Sequence, residues 1–145
     1  MPSVYFHQED ITFILPDENK VIQWIEDVVN GHNHVIHELN IIFCSDEYLH
    51  NINTSYLDHD TYTDIITFDQ SETSDDLEGD IFISISRIRE NAKQFDVLFE
   101  DELHRVIIHG ILHLMGYKDK TVQEIRQMRE KEEACLSLRL FKSRY

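Results

Sequence analysis

The chain has 145 residues and an ordinary apolar content of 41%, which suits one domain over residues 1–145. A formal net charge of −15 argues against a general nucleic-acid binder, because such proteins carry a basic surface that engages phosphates. No stretch is long and apolar enough to cross a membrane, and residues 1–10 lack the pattern of a signal peptide. A cytoplasmic protein is expected, with Cys44 and Cys135 as reduced thiols.

The amino-terminal half predicts alternating strands and helices. Val4–His7 predicts a short edge strand. Apolar residues at helical spacing predict a helix over residues 16–30, which Gly31 ends. Val35–Phe43 alternates with the period of a strand. Ser45 is a favourable N-cap, and it predicts a helix that continues to about residue 56.

The carboxy-terminal half continues in the same way. Thr63–Phe68 and Gly79–Ile85 predict strands, and the acidic residues 70–78 between them predict a solvated loop. Ser86 begins a helix to about residue 95, and Thr121 begins the last helix with a capping box. The apolar stripe of that last helix is expected to be buried, and its charged residues are expected to be solvated. The stripe consists of Val122, Ile125, Met128, Cys135 and Leu138.

The chain is organised around an apolar helix that begins at Glu100 and stops at Gly116. Its apolar residues cover nearly the whole circumference, which predicts a buried helix. His109 and His113 are one turn apart on one face, and Asp119 follows in the next turn. Two imidazoles and one carboxylate leave a fourth tetrahedral position open for water, which is typical of a catalytic zinc site.

Histidines also have plainer roles. The pair His109 and His113 occurs by chance in many helices, although two imidazoles in an apolar helix cost free energy unless their nitrogens find partners. A metal ion is one such partner. His32, His34 and His37 straddle a turn and a strand without fixed ligand spacing, and they are expected to be solvated or hydrogen-bonded.

Three segments resemble the bacterial YbeY family. The string HGILHLMGY at residues 109–117 is similar to the family signature HGxLHLxGYDH, INTSYLDHDTYTDIITF at residues 52–68 is similar to LNxxYRxxDxxTDVLSF, and the strand at residue 79 is similar to GDIxIS. The residues of the second segment that match are Asn53, Tyr56, Asp60, Thr63, Asp64 and Phe68. Three positions depart: Leu57 replaces an arginine, Lys118 an aspartate and Asp119 the third histidine ligand.

The resemblance implies an α+β fold, a single domain in which a small mixed sheet of about four strands packs with about five helices around a central metal-binding helix. It implies a zinc-dependent, single-strand-specific endoribonuclease, with one ion per chain. The expected role is maturation of the 3′ end of small-subunit ribosomal RNA and ribosome quality control. The expected partners are that RNA, the small subunit and its associated factors, without DNA or a membrane.

Two other functions stay open. One is a metallohydrolase with another substrate, such as a peptide, although Gly110 stands where zinc proteases of the HExxH type carry their catalytic glutamate. The other is a non-enzymatic ribosome assembly factor with a structural metal. Phosphodiester cleavage needs charge stabilisation in the transition state. Lys118 is the candidate cation for that role, although an exposed turn lysine is commonly just solvated.

Overall fold

The computed structural model describes residues 3–57, 62–73 and 75–141. In these ranges the chain forms four strands and five helices. They are β1 (Val4–Glu9), α1 (Glu18–Gly31), β2 (Val35–Cys44), α2 (Asp46–Leu57), β3 (Ile65–Asp69), β4 (Asp76–Ser84), α3 (Ile85–Phe95), α4 (Phe99–Leu114) and α5 (Val122–Ser137). The predicted α+β class, with a small sheet and five helices, is confirmed.

The four strands form one mixed sheet in the order β1-β2-β4-β3. β1 and β4 both pair parallel to β2, whereas β3 closes one edge antiparallel to β4. One face of the sheet packs with α1 and α4 in the main core, and the other packs with α2 in a smaller cluster. Residues of the main core with no exposed area include Val21, Ile25, Leu39, Ile41, Ile81, Ile83, Leu103 and Ile107.

Helix α4 is buried around most of its circumference, as its apolar sequence predicts. Leu103, Val106 and Ile108 are buried although they lie on different sides of the helix. The helix starts at Phe99, one residue before the predicted start. It ends just before Gly116, whose φ of 104° is the conformation that glycine adopts without strain.

Two predicted boundaries around β4 are wrong. The strand begins at Asp76 and not at Gly79, because Leu77 is buried and the backbone pairs with β2 in spite of the acidic side chains. It ends at Ser84, because the Oγ atom of Ser84 accepts a hydrogen bond from the backbone N–H of Arg87 and caps α3. The predicted N-cap was Ser86.

The buried stripe of α5 also differs from the prediction. Its buried residues are Met128, Glu132 and Cys135. Val122 is 74% exposed and Ile125 is 50% exposed, and Leu138, just beyond the helix, is also exposed. The capping box at Thr121 and Glu124 is present as predicted. Which residues of α5 are buried depends on how the helix packs against its neighbours, and the buried side includes the carboxylate of Glu132.

Several smaller expectations concern the first half of the chain. Ser45 caps α2 by accepting a hydrogen bond from Tyr48, as predicted. A register shift between Ile36 and Glu38 interrupts the alternation of β2, and Val35 is therefore exposed. Helix α1 includes Gly31, and it is Asn33 that takes a left-handed φ of 64°.

Both cysteines are free and buried, as expected. Burial, with help from nearby carboxylates, raises the pKa of the Cys44 thiol to about 12. The helices in the described ranges are each too short or too polar to span a bilayer.

Candidate metal centre

Three ligand atoms converge at the C-terminal end of α4. His109 and His113 lie one turn apart, and their Nε2 atoms are 3.0 Å from each other. The turn at Gly116 brings the chain back over this end of the helix. The Oδ2 atom of Asp119 then lies 3.3 Å from Nε2 of each histidine. The structure thus brings together the three residues that the sequence predicts as ligands.

This triangle of atoms has the dimensions of a zinc site. Ligand bonds of about 2.0–2.1 Å in tetrahedral geometry place neighbouring ligand atoms about 3.3 Å apart. The three separations are 3.0, 3.3 and 3.3 Å. All three side chains are only partly buried, so their group could hold an ion with one coordination position open to solvent.

The second nitrogen of each imidazole ring has a hydrogen-bond acceptor as its partner. Nδ1 of His113 lies 2.9 Å from the backbone carbonyl oxygen of Tyr117, which can only accept. Nδ1 of His109 lies 2.6 Å from Oε2 of Glu132, a carboxylate oxygen. Both Nδ1 atoms therefore donate, and in the neutral rings both Nε2 atoms carry a lone pair.

This arrangement directs three electron-pair donors at one point. The two Nε2 lone pairs and the carboxylate of Asp119 repel one another unless a cation lies between them. Zinc is commonly bound by a neutral imidazole whose other ring nitrogen donates a hydrogen bond to a carboxylate or a backbone carbonyl. The donor set therefore fits a divalent ion of zinc type.

Comparisons with known proteins identify the family of this chain. The family model described as "Endoribonuclease YbeY" matches residues 4–139. The chain belongs to the YbeY family. Among its relatives, Endoribonuclease YbeY of Cytophaga hutchinsonii is 51% identical over 139 residues, which cover 96% of this chain and 97% of that protein. Endoribonuclease YbeY of Karelsulcia muelleri is 54% identical over 124 residues, which cover 86% and 87%.

A solved structure has the same fold. The solution structure of TM1509 from Thermotoga maritima superimposes with a TM-score of 0.66 at 26% identity, and the match covers 92% of this chain and 87% of that one. Membership of the YbeY family confirms the resemblance found in the sequence. It also assigns the chain to the endoribonucleases, which are hydrolases, as predicted.

The structure adds one residue to the site that sequence patterns missed. Glu132 is only 2% exposed, although the sequence predicted a solvated face for the charged residues of α5. It follows His109 by 23 positions, and no local spacing connects the two residues. The one available signal was its position between Met128 and Cys135 in the helical period.

Glu132 belongs to a buried ionic network. Arg105 donates to Oε1 of Glu132 over 3.2 Å and binds both oxygens of Glu102, at 2.7 and 3.0 Å. Burial alone raises the pKa of Glu132, but the hydrogen bond from His109 and the charge of Arg105 outweigh it and lower the pKa. The hydrogen bond to Glu102 is the largest of the effects that raise the pKa of Arg105. The charges therefore persist in the folded protein.

The three ligand side chains face a cavity of about 440 Å³. Its walls come from α2, from β3 and the residues before it, and from the end of α4. The lining residues are Asn53, Leu57, Thr63, Asp64, Ile65, Ile66, Thr67, His109, His113 and Asp119. None of these is a lysine or an arginine. Any positive charge that a substrate meets among these residues must come from a bound ion.

Asp64 is the one further carboxylate among those lining residues. Burial raises its pKa, and the charges of Arg105 and His109 oppose that shift. The side-chain amide of Asn91 donates to its Oδ2 atom over 3.1 Å. Asp64 is therefore held in place from α3.

The departures from the YbeY signature lie in two segments, the end of α2 and the turn after α4. Leu57 lines it and is 39% exposed, so the apolar side chain stands where the family pattern carries a guanidinium. Lys118 is exposed in the turn beside Asp119 and is not one of the lining residues. Its catalytic role stays a prediction. Asp60, which matches the family pattern, lies outside the described residues.

Proposed function

We propose that residues 1–145 form one metallohydrolase domain that binds one zinc ion and cuts single-stranded RNA. The observation that carries this proposal is the convergence of the lone-pair atoms of His109, His113 and Asp119 within 3.3 Å of one another. Zinc fits two imidazoles and a carboxylate better than magnesium does, since magnesium prefers an all-oxygen octahedral shell.

The residues of the site have separate tasks in this proposal. His109, His113 and Asp119 hold the ion, while Glu132 and the Tyr117 carbonyl orient the two imidazoles. A zinc ion in an open three-ligand site lowers the pKa of water and polarises a phosphoryl oxygen. Because none of the lining residues that the structure describes is a lysine or an arginine, the phosphate charge of the substrate must be balanced mainly by the ion.

The biological substrate proposed here is ribosomal RNA. The family name supports cleavage of RNA, and we infer that the chain acts at the 3′ end of small-subunit ribosomal RNA and in ribosome quality control, with the small subunit and its associated factors as partners. The free, buried cysteines support a reducing cytoplasmic location. An acidic protein binds RNA weakly in general, and it therefore depends on its site for selectivity.

One preparation tests the proposal. The metal content of protein purified without chelator is measured, and the same protein is incubated with a labelled single-stranded fragment of ribosomal RNA. We expect about one zinc per chain, and cleavage that a chelator abolishes and added zinc restores. The His109→Ala variant, purified identically, controls for contaminating nucleases.

Three outcomes separate the alternatives. If His109→Ala cuts RNA as fast as the wild type, the enzymatic proposal fails and a non-enzymatic assembly factor replaces it. If wild type cuts a peptide library but not RNA, the protein is a metallohydrolase of another class. A DNA fragment of the same sequence should stay intact.

A further inference from the structure

We propose that Glu132 is a positioning residue that holds His109 ready for the metal and makes the docking of α5 depend on metal binding. The inference rests on the proposed metal site. It assigns to the last helix a role that neither the family pattern nor the ligand spacing contains. Three features carry it: the contacts of Glu132, the charge of its surroundings and the weak apolar anchoring of α5.

The two oxygens of Glu132 have different partners. Oε2 accepts the hydrogen bond from Nδ1 of His109 over 2.6 Å, and Oε1 accepts from Arg105 over 3.2 Å. Arg105 is in turn held by both oxygens of Glu102. Because each oxygen is bound, the carboxylate cannot rotate without losing a partner. It therefore fixes the plane of the His109 ring and the nitrogen that carries the proton.

The buried charges favour a cation at His109. Among the buried groups, Glu102 and Glu132 contribute two negative charges and Arg105 contributes one positive charge, which leaves one net negative charge. Both carboxylates are 2% exposed, so water screens this charge poorly. Arg129 also lies 4.0 Å from Oε1 of Glu132, but its side chain is 64% exposed, so water screens its charge more strongly. A divalent ion at Nε2 of His109 places positive charge on the far side of the ring. The carboxylate makes the imidazole a better electron-pair donor to that ion.

Helix α5 has few apolar anchors besides this contact. Met128 and Cys135 are its only fully buried apolar side chains, and Leu136 packs partly buried against the core. Glu132 is the third buried residue of its 16. The indole N–H of Trp24 adds one hydrogen bond, to the backbone oxygen of Cys135. The helix also begins close behind Asp119, a proposed ligand. The metal site thus contacts the middle of α5 through His109 and Glu132, and a short turn joins Asp119 to the start of the helix.

Coupling in both directions follows from these contacts. If the metal-bound form of His109 holds Glu132 more strongly, the metal stabilises the docked α5, and the docked α5 must strengthen metal binding by the same factor. The helix then serves as the element that closes the site around the ion. Protein without metal should have an α5 that opens more often.

Hydrogen exchange of the wild-type protein is the first test, because it needs no variant. Amide exchange is followed in zinc-free and zinc-loaded protein, with magnesium in place of zinc as the control. We expect zinc to slow exchange across residues 122–137 at least tenfold, and magnesium to have no effect. Equal exchange of α5 with and without bound zinc overturns the coupling.

The second test compares two neighbouring glutamates. Glu132→Gln replaces one of the two acceptor oxygens with an NH2 group, which then faces a donor N–H of His109 or of Arg105. We expect its zinc dissociation constant, from competition with a chromophoric chelator, to rise about 10- to 100-fold. Glu133→Gln, which changes an exposed residue of the same helix, should bind zinc like the wild type.

A third measurement separates positioning from a merely structural role. Long-range proton–nitrogen NMR spectra of the histidine rings report which nitrogen carries the proton. In zinc-free wild type we expect the proton of His109 on Nδ1, and in Glu132→Gln a mixture, whereas His113 should be unchanged because its partner is a backbone carbonyl. An unchanged His109 spectrum and an unchanged dissociation constant in Glu132→Gln overturn the inference. In that case, loss of zinc binding in His109→Ala would still support the proposed metal site. If the wild-type protein binds no zinc, the proposed metal site and the role of Glu132 are both overturned.

Discussion

The Oδ2 atom of Asp119 lies 3.3 Å from Nε2 of His113, at the position where the YbeY signature has its third histidine. A carboxylate oxygen at this distance can share a zinc ion with the imidazole. We predict that Asp119→Ala weakens zinc binding by more than about 10- to 100-fold, which is the typical cost of losing a residue that only hydrogen-bonds to a metal ligand. Asp119→His should retain binding, because it restores an imidazole there. The measurement is chelator competition at fixed pH.

A matched control for Asp119 is the neutral amide. Asp119→Asn keeps the size of the side chain but removes its charge, and its zinc affinity should lie between those of wild type and Asp119→Ala. If wild type and Asp119→Ala bind zinc equally, Asp119 is a turn residue and another group completes the ligand set.

A second prediction concerns the missing guanidinium at Leu57. The side chain lines the cavity, and none of the lining residues is a lysine or an arginine. Removing one preorganised donor typically costs about 100- to 1000-fold in rate, so we predict that Leu57→Arg raises the rate of RNA cleavage by up to that factor. The measurement is kcat/KM on a single-stranded RNA fragment at fixed low salt, since phosphate contacts weaken as salt rises.

Two variants make that result interpretable. Leu57→Met changes the shape without adding charge and should leave the rate near that of wild type. Lys118→Ala tests the other candidate cation, and a lower rate would assign the phosphate contact to Lys118. If Leu57→Arg is no faster than Leu57→Met, the arginine does not reach the phosphate in this chain.

A third prediction concerns the close approach of β4 to its neighbour strand. A Cβ atom on Gly79 would lie 2.5 Å from the backbone oxygen of Phe68 and 3.2 Å from a methyl group of Leu114. We predict that Gly79→Ala lowers the free energy of unfolding by about 1–3 kcal/mol, because a paired strand cannot move away. Gly31→Ala is the control, since its Cβ would meet nothing within 4 Å.

Urea denaturation at neutral pH measures both glycine variants. In a helix, alanine is more favourable than glycine by about 1 kcal/mol, so Gly31→Ala should be neutral or slightly stabilising. Equal stabilities of Gly79→Ala and wild type would show that β3 and β4 separate at little cost.

A fourth prediction links stability to pH through His104. The ring is 1% exposed, and Arg139 donates to its Nδ1 atom over 2.8 Å. Burial and the positive charge of Arg139 lower the pKa of His104 to about 4, against a weaker opposite effect of Asp101. Between pH 6.5 and 4 the unfolded chain therefore binds a proton that the folded protein does not. The stability from neutral His104 is present above pH 6.5 and is lost as pH falls, by up to about 3 kcal/mol.

The variant that tests this linkage is His104→Gln, whose oxygen can accept from Arg139 without titrating. Its free energy of unfolding should fall less than that of wild type between pH 7.5 and pH 4.5. His37→Gln, at an exposed histidine, should follow the wild-type curve. Parallel curves for His104→Gln and wild type would mean that His104 takes up its proton in the folded state at ordinary pH.

Features that depend on neighbours along the chain could be predicted from the sequence. The four-residue spacing of His109 and His113 sets their common face, because a helix repeats every 3.6 residues. The turn after α4 follows from the freedom of Gly116 to adopt a positive φ. The family resemblance rested on the same local strings, and so the fold class was predicted correctly. The structure brings the three predicted ligands together, and their binding of a metal ion stays a prediction.

Contacts between residues that are distant in sequence became visible in the three-dimensional structure alone. Nothing in the spacing of Glu132 indicates that its carboxylate lies 2.6 Å from the ring of His109, because that contact depends on how α5 packs against α4. The pairing of Asp76 with β2 could not be predicted for the same reason, because backbone hydrogen bonds to another strand do not depend on the acidic side chains of this segment. A buried charge is stable only beside a partner, and here the fold brings that partner from 23 residues away.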